Sequence, residues 1–178
     1  MDNEHTLLER VRQLDERALS ELYDLYSGEI YRYAVRLSGN TDWAEECVAE
    51  TFSRLLTALN GGGGPKQYLR AYLYRIAHNW ITDYYRRQPQ DPISLDPEIY
   101  AEPDIEPHEV VIQEHERQQV RSALKKLTPD QRQVIALKFL EGWKNQEIAR
   151  AMNKPISAVK SLQHRGLKAL RRILENEP

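Results

Sequence analysis

The sequence is poor in the residues that build covalent or metal-bound frameworks. Among 178 residues there is a single cysteine, Cys47, which excludes an internal disulfide and any cysteine-rich metal site. Cys47 lies on an apolar helix stripe and is expected to be buried. The five histidines are scattered without ligand spacing, and no nucleophile–base or carboxylate pair is placed by spacing. We therefore predict no metal, no cofactor, no catalytic residue and no enzymatic activity.

Long apolar runs are also missing. No stretch approaches the roughly 20 residues required to cross a bilayer. The N-terminal sequence MDNEHTLLER is acidic, whereas a signal peptide would begin with basic residues and continue with apolar ones. We expect a cytoplasmic protein without membrane insertion.

Basic residues are absent from one internal segment. Residues 88–109, QPQDPISLDPEIYAEPDIEPHE, contain seven acidic residues, five prolines and no Lys or Arg. We predict an extended, acidic, Pro-rich linker, because its carboxylates repel one another and its prolines interrupt helices. Both a solvated tether and an acidic strand lying in a positively charged channel of a partner fit this composition.

The two flanking segments differ in charge. Residues 1–87 carry 11 Lys/Arg against 13 Asp/Glu, whereas residues 110–178 carry 14 against 7. The linker therefore separates two modules with different partners, and the basic module is predicted to bind a polyanion.

Helical periodicity dominates the first module. Apolar residues recur at spacings of three and four through residues 6–38, which we interpret as helical. Asp42, with Glu45 three residues later, is predicted to cap a second helix that ends at the NGGGGP run of residues 60–65. A third helix follows at Tyr68–Arg87. Three amphipathic helices joined by tight breaks indicate a small all-α domain.

The third predicted helix, YLRAYLYRIAHNWITDYYRR, has two distinct stripes. A polar stripe offers aromatic rings, an amide and cations, which can bind bases and phosphates but could equally be an ordinary solvated face. The apolar stripe consists of Leu69, Leu73, Ile76, Ala77, Trp80 and Tyr84. The polar stripe consists of Tyr72, Arg75, Asn79, Thr82 and Arg86.

The second module also consists of helices, with apolar periodicity over residues 110–127. The sequence Thr128-Pro129-Asp130-Gln131 is a strong helix start, and that helix is predicted to stop at Gly142. A short helix at residues 144–152, a turn and a helix from Pro155 to Glu175 then form a helix-turn-helix pattern.

The outward positions of the last helix are rich in groups that bind DNA. Its N-terminal half is predicted to enter the major groove, where Gln, Arg and Lys read base edges and serines bind phosphates. An ordinary helical hairpin with a basic face is the simpler alternative. The outward positions are Ser157, Ala158, Lys160, Ser161, Gln163, His164, Arg165 and Lys168.

Three blocks together resemble one family over nearly the whole chain. The blocks are AEECVAETF at residues 44–52, YLYRIAHN with the following Asp83 and Arg86-Arg87, and LTP, EIA and VKS in the second module. In this order they are similar to the extracytoplasmic-function (ECF) group of bacterial sigma factors in the sigma-70 family. The resemblance implies a region 2 helical bundle at residues 1–87 and a region 4 helix-turn-helix domain at residues 110–178.

The resemblance also implies roles for individual residues. The last helix would read the −35 promoter element through the eight outward positions named above. Whether Trp80 stacks on a base or is buried stays open. Residues implied to contact core RNA polymerase are Glu45, Glu46, Ala49, Glu50 and Thr51. Residues implied to recognise and melt the −10 element are Tyr72, Arg75, Asn79, Trp80, Asp83, Arg86 and Arg87.

The function implied is that of a dissociable RNA polymerase subunit for promoter recognition, DNA melting and transcription initiation. Its partners would be the clamp and flap regions of core RNA polymerase, promoter DNA and, as in many relatives, an anti-sigma protein, and its regulon would concern stress or the envelope. The alternative is a stand-alone helix-turn-helix regulator that binds operator DNA without polymerase. One departure from the family is the run Gly61 to Gly64, in a loop where relatives place side chains around a flipped base.

Overall fold

A computed structural model describes residues 2–87 and 107–175. Every regular element in these two ranges is helical, which confirms the all-α prediction. Residues 88–106 of the predicted linker lie outside the described residues, and its last three residues belong to a helix that begins at Pro107. The helices are α1 (Asp2–Arg12), α2 (Glu16–Ser38), α3 (Thr41–Asn60), α4 (Leu69–Arg87), α5 (Pro107–Lys125), α6 (Pro129–Ile135), which continues as a π-helical turn (Ala136–Leu140), α7 (Asn145–Met152) and α8 (Ile156–Glu175).

The first predicted helical segment is two helices. The chain breaks at Leu14, whose φ of 59° is left-handed, and Asp15 then caps α2 by accepting a hydrogen bond from the Ala18 N–H at 3.0 Å. That cap satisfies a donor that has no partner within the helix. The apolar period continues across the break, which is why periodicity alone merged the two helices.

The predicted cap of α3 is wrong by two residues. Asn40 is the N-cap, and its Oδ1 accepts from the Trp43 N–H at 3.0 Å. Gly39 ends α2 with a φ of 69°, so α3 begins only two residues later at Thr41. Asp42 instead lies in the first turn, where its charge favours the positive end of the helix dipole.

Helix α6 begins as predicted. The Gln131 N–H donates to Thr128 Oγ1 at 3.4 Å and the Thr128 N–H donates to Gln131 Oε1 at 3.3 Å, which together form a capping box. The π-helical turn that follows α6 was not predicted. Gly142, with a φ of 70°, ends this segment where the sequence indicated.

One continuous apolar core holds the described helices together. In the first module α2, α3 and α4 bury large side chains such as Leu22, Leu55 and Leu73, together with Cys47. Burial raises the pKa of the Cys47 thiol to about 12, so this cysteine is unreactive at neutral pH. In the helix-turn-helix, Ile148 of α7 and Val159 of α8 are fully buried. Within residues 2–87 and 107–175, none of the helices combines the length and the apolar character required to cross a membrane.

Candidate nucleic-acid interface

The polar stripe of α4 is only partly open to solvent. Asn79 and Arg86 are exposed, whereas Tyr72, Arg75 and Thr82 are half-buried. Exposed amides and guanidinium groups can reach bases and phosphates without any rearrangement of the helix. The exposed end of the stripe is therefore the part available to a ligand in this conformation.

Two further residues implied to bind the −10 element lie at this end of α4. Arg87 is exposed, and Asp83 is half-buried with its Oδ1 3.6 Å from a guanidinium nitrogen of Arg86. An exposed ion pair of this kind contributes little to stability. Arg86 therefore stays available to a phosphate.

Trp80 belongs to an aromatic cluster. Its ring centroid is 5.2 Å from that of Tyr84, and Tyr84 lies 3.7 Å from Trp43 of α3. Tyr85 is also part of the cluster, with its ring 6.4 Å from Trp43. Because Trp80 is half-buried in this cluster, it supports the position of α4 and leaves only part of its ring for stacking.

Arg75 already has partners. Its Nε donates to the Ala151 carbonyl at 2.8 Å and one terminal nitrogen donates to the Arg150 carbonyl at 2.6 Å. Both carbonyls are in the last turn of α7, where acceptors lack partners within the helix, and the Arg150 carbonyl also accepts from the Asn153 N–H at 3.3 Å. In this conformation the guanidinium of Arg75 is occupied by the second module.

Helix α4 also carries a buried histidine, His78, two residues before Trp80. The Nε2 of His78 lies 3.2 Å from the Pro129 carbonyl, and its Nδ1 lies 2.8 Å from the Tyr33 hydroxyl. Because a carbonyl oxygen can only accept, Nε2 carries the proton and Nδ1 accepts from Tyr33. Burial, together with the nearby positive charge of Arg132, lowers the pKa of His78 to about 3, so the ring is neutral.

The predicted DNA-reading face of α8 is open. The six exposed residues are two serines, two lysines, one arginine and one histidine, which suit phosphate oxygens and base edges. Ala158 and Gln163 are half-buried beside them. The exposed residues are Ser157, Lys160, Ser161, His164, Arg165 and Lys168.

The implied polymerase-binding face of α3 contains one residue that is not at the surface. Glu45, Glu46 and Ala49 are exposed, and Glu50 is half-buried and pairs with an arginine four residues later at 2.7 Å. Thr51 is 0% exposed. Thr51 lies seven residues after Ala44, which is also buried, so both residues are on the core side of the helix. Thr51 therefore cannot contact a partner directly.

Sequence analysis missed two exposed apolar residues beside this face. Tyr23 of α2 is 49% exposed with its ring 4.9 Å from Phe52, and Leu56 of α3 is 38% exposed. Leu56 lies seven residues after Ala49, a spacing that places both on one helix face and could have revealed it. Tyr23 fits the apolar period of α2, and that period alone predicts a buried residue.

Comparison with known proteins identifies the family. Residues 22–89 match the model described as Sigma-70 region 2, and residues 117–170 match that described as Sigma-70, region 4. The chain belongs to the sigma-70 family, in its ECF group. The Streptomyces coelicolor ECF sigma factor BldN is 30% identical over 96% of this chain, which spans 66% of BldN's length. The Bacillus subtilis ECF sigma factor SigW is 28% identical over 95% of each chain.

Solved structures agree with this sigma-factor fold. The chain is similar to CnrH, solved in complex with the cytosolic domain of CnrY, with a TM-score of 0.71 and 22% identity over 98% of this chain and 99% of that one. It is also similar to the sigma factor RpoE of Bartonella quintana, solved with the anti-sigma factor NepR, with a TM-score of 0.61 and 21% identity over 89% and 98% of the two chains. At this identity the likeness establishes the arrangement of helices alone.

Proposed function

We propose that this sigma factor is a dissociable RNA polymerase subunit that recognises a promoter, opens it and starts transcription. The observation that carries the proposal is that one chain of this family presents two nucleic-acid faces. One face is the exposed amide and cations of α4, and the other is the basic face of α8. The stand-alone regulator receives no support from the relatives, because those compared above are ECF sigma factors.

Strand opening is assigned to α4. Unstacking a base costs a few kcal/mol per step, and stacking on an aromatic ring returns about 1–3 kcal/mol per base. Tyr72 supplies the ring, and the amide of Asn79 makes paired hydrogen bonds to an exposed base edge. Arg86 and Arg87 bind the phosphates of the opened strand.

Recognition of the −35 element is assigned to α8. Its N-terminal half enters the major groove, so that Ser157, Lys160 and Ser161 come closest to the DNA. The exposed cations farther along the helix, Arg165 and Lys168, supply affinity that does not depend on sequence and falls with salt.

The polymerase-binding face is an acidic rim with an apolar centre. Glu45, Glu46 and Ala49 provide the exposed side of α3, and Tyr23 and Leu56 extend it with apolar surface. Interfaces of this composition combine steering by charge with burial of aromatic side chains. The face suits the clamp of core polymerase, and region 4 provides the contact with the flap.

The remaining parts of the proposal follow from this role. The protein acts in the cytoplasm and binds its partners without catalysing a reaction of its own. An anti-sigma protein is a further partner, supported by the fold shared with an RpoE that was solved with NepR. The regulon concerns stress or the envelope, as the resemblance implies.

The test uses transcription reconstituted from core RNA polymerase, this protein and a pool of genomic promoter fragments. Transcripts that depend on the protein are expected. Asn79→Ala should reduce promoter opening about ten-fold or more, since it removes a paired hydrogen bond worth roughly 1–3 kcal/mol, while core binding is unchanged. Gln13→Ala, which removes an exposed amide outside the polar stripe, is the matched control and should behave as wild type.

Two results would contradict the proposal. One is a transcription pattern that does not depend on the protein. The other is a tight and specific shift of duplex DNA by the protein alone, which would favour the stand-alone regulator.

A further inference from the structure

The end of α4 that carries the exposed nucleic-acid groups is held in place by aromatic side chains. Asn79, Arg86 and Arg87 are exposed there, and α4 ends at Arg87. Tyr84 and Tyr85 come just before Arg86 but lie on the other side of the helix, where both are half-buried. The position of the exposed groups therefore depends on what these two rings contact.

Tyr84 contacts the first turn of α3 through Trp43. The two ring centroids are 3.7 Å apart, with an angle of 53° between the ring planes, and the centroid of Tyr84 is 5.2 Å from that of Trp80. These three rings and Ile81 line a space that is too small for a water molecule. A dry row of rings therefore joins α3 to α4, and contacts between aromatic rings stabilise a structure beyond the area that they bury.

The backbone that carries Trp43 is itself fixed. Trp43 lies in the first turn of α3, and its N–H donates to Oδ1 of the N-cap Asn40 at 3.0 Å. Gly39, with a φ of 69°, makes the tight turn that leads into this cap. Because the cap holds the start of α3 in one conformation, the ring of Trp43 is a fixed support for Tyr84.

Trp43 also shares one side of α3 with part of the polymerase-binding face. Glu46 and Glu50 lie three and seven residues after Trp43, and these spacings place all three residues along one stripe of the helix. Glu46 is exposed and Glu50 is half-buried. The same helix therefore carries the acidic face and the ring that supports the end of α4.

Helix α2 provides a separate support for the same end of α4. The Tyr85 hydroxyl donates to the Leu37 carbonyl. The Tyr85 ring also faces the charged groups of Lys125 and Arg132, at 5.3 Å and 4.9 Å. Since these contacts do not involve Trp43, a change of Trp43 is expected to loosen the end of α4 without detaching it.

We propose that Trp43 is a positioning residue for strand opening. Its ring fixes the exposed end of α4 relative to the polymerase-binding face of α3, so that Asn79 and Arg86 meet the strand at a defined place on the polymerase. Small displacements matter there, because hydrogen bonds weaken steeply with distance and angle. The inference rests on the proposed function and deepens it, since Trp43 acts through Tyr84 and contacts neither DNA nor polymerase in this role.

The main test separates promoter opening from binding. Holoenzyme is reconstituted from core RNA polymerase and each variant, on a duplex promoter with 2-aminopurine in its −10 element, whose fluorescence reports the rate of opening. Trp43→Leu should slow opening roughly two- to ten-fold, the range that one aromatic pair contributes, while the affinities for core and for duplex promoter stay within about twofold of wild type. Trp43→Phe keeps a ring against Tyr84 and should recover most of the rate.

Two comparisons distinguish positioning from general support of the fold. Combining Trp43→Leu with Asn79→Ala should slow opening by less than the product of the two single effects, because Trp43 acts by placing Asn79. The full product would mean that the two residues act independently, which contradicts the proposal. Tyr26→Leu is the matched control, since it removes a half-buried ring near Arg70 at the other end of α4, and it should leave the rate of opening unchanged.

Amide hydrogen exchange of the free full chain tests the contact without polymerase. Trp43→Leu should raise exchange at residues 84–87 and leave residues 70–77 as in wild type, because only one end of α4 loses a support. A uniform rise across the first module would make Trp43 an ordinary core residue and overturn the inference. An unchanged rate of opening, or a loss of affinity for core, would overturn it as well. If exchange changes locally but wild-type protein supports no transcription, the contact of Trp43 with α4 stands and the proposed function fails.

Discussion

Lowering the pH should weaken the contact between the two modules, because it charges His78. The His78 ring is buried between them, with Tyr33 of α2 on one side and Arg132, Asp130 and the Pro129 carbonyl of α6 on the other. Its pKa is lowered to about 3 there, whereas a histidine edge that faces water has a pKa of about 6.5. The arrangement with the modules in contact therefore binds fewer protons than one in which they have separated.

The sign and size of the effect follow from proton linkage. A lowered pKa stabilises the contact between the modules fully above about pH 6.5 and progressively less as the pH falls towards 3. If the ring regains a pKa of about 6.5 when the modules separate, a change from pH 7.5 to pH 5.5 favours their separation about tenfold, or about 1.4 kcal/mol.

The assay is the radius of gyration of the free protein across this pH range, with circular dichroism to detect unfolding. His78→Gln keeps a donor for the Pro129 carbonyl but does not titrate, so its response should fall below about twofold. Equal responses of wild type and His78→Gln would refute the reasoning, since the proton would then act elsewhere.

Two further substitutions test the packing of the second module. Gly166→Ala would place a methyl group 3.0 Å from Cγ1 of Ile135, and we expect the clash to outweigh the gain in helix propensity and lower the free energy of unfolding by about 1 kcal/mol. Gly28→Ala is its matched control, because its methyl group meets only the movable end of Arg32 at 3.2 Å, and it should be neutral or stabilising by up to about 1 kcal/mol. Arg132→Met removes three hydrogen bonds to carbonyls at the end of α5 and should cost about 3–5 kcal/mol in thermal or urea unfolding, whereas an unchanged midpoint would show that these bonds contribute nothing.

Some features of the site were predictable because they are local. The capping box of Thr128 and Gln131 follows from four consecutive residues, and the outward face of α8 follows from helix period. The cap at Asn40 was missed because Asp42 offered an equally good pattern two residues later, and the tight turn at Gly39 decided between them. Thr51 was placed among the polymerase contacts by the motif match alone, whereas the helix period puts it on the buried side of α3.

The sequence by itself determined the helices, most of their ends and the family, because periodicity, caps and motifs act over a few residues. Only the tertiary structure decided that Arg75 meets the carbonyls of α7 and that Glu141 pairs with Arg36, 105 positions away. Such contacts form when two modules with exposed polar groups meet, and their partners are set by shape and distance in space. No local pattern along the chain encodes that meeting. In this sigma factor, the sequence of each helix determines the chemistry of its exposed face. Access to the strand-opening face depends on how the helices pack together.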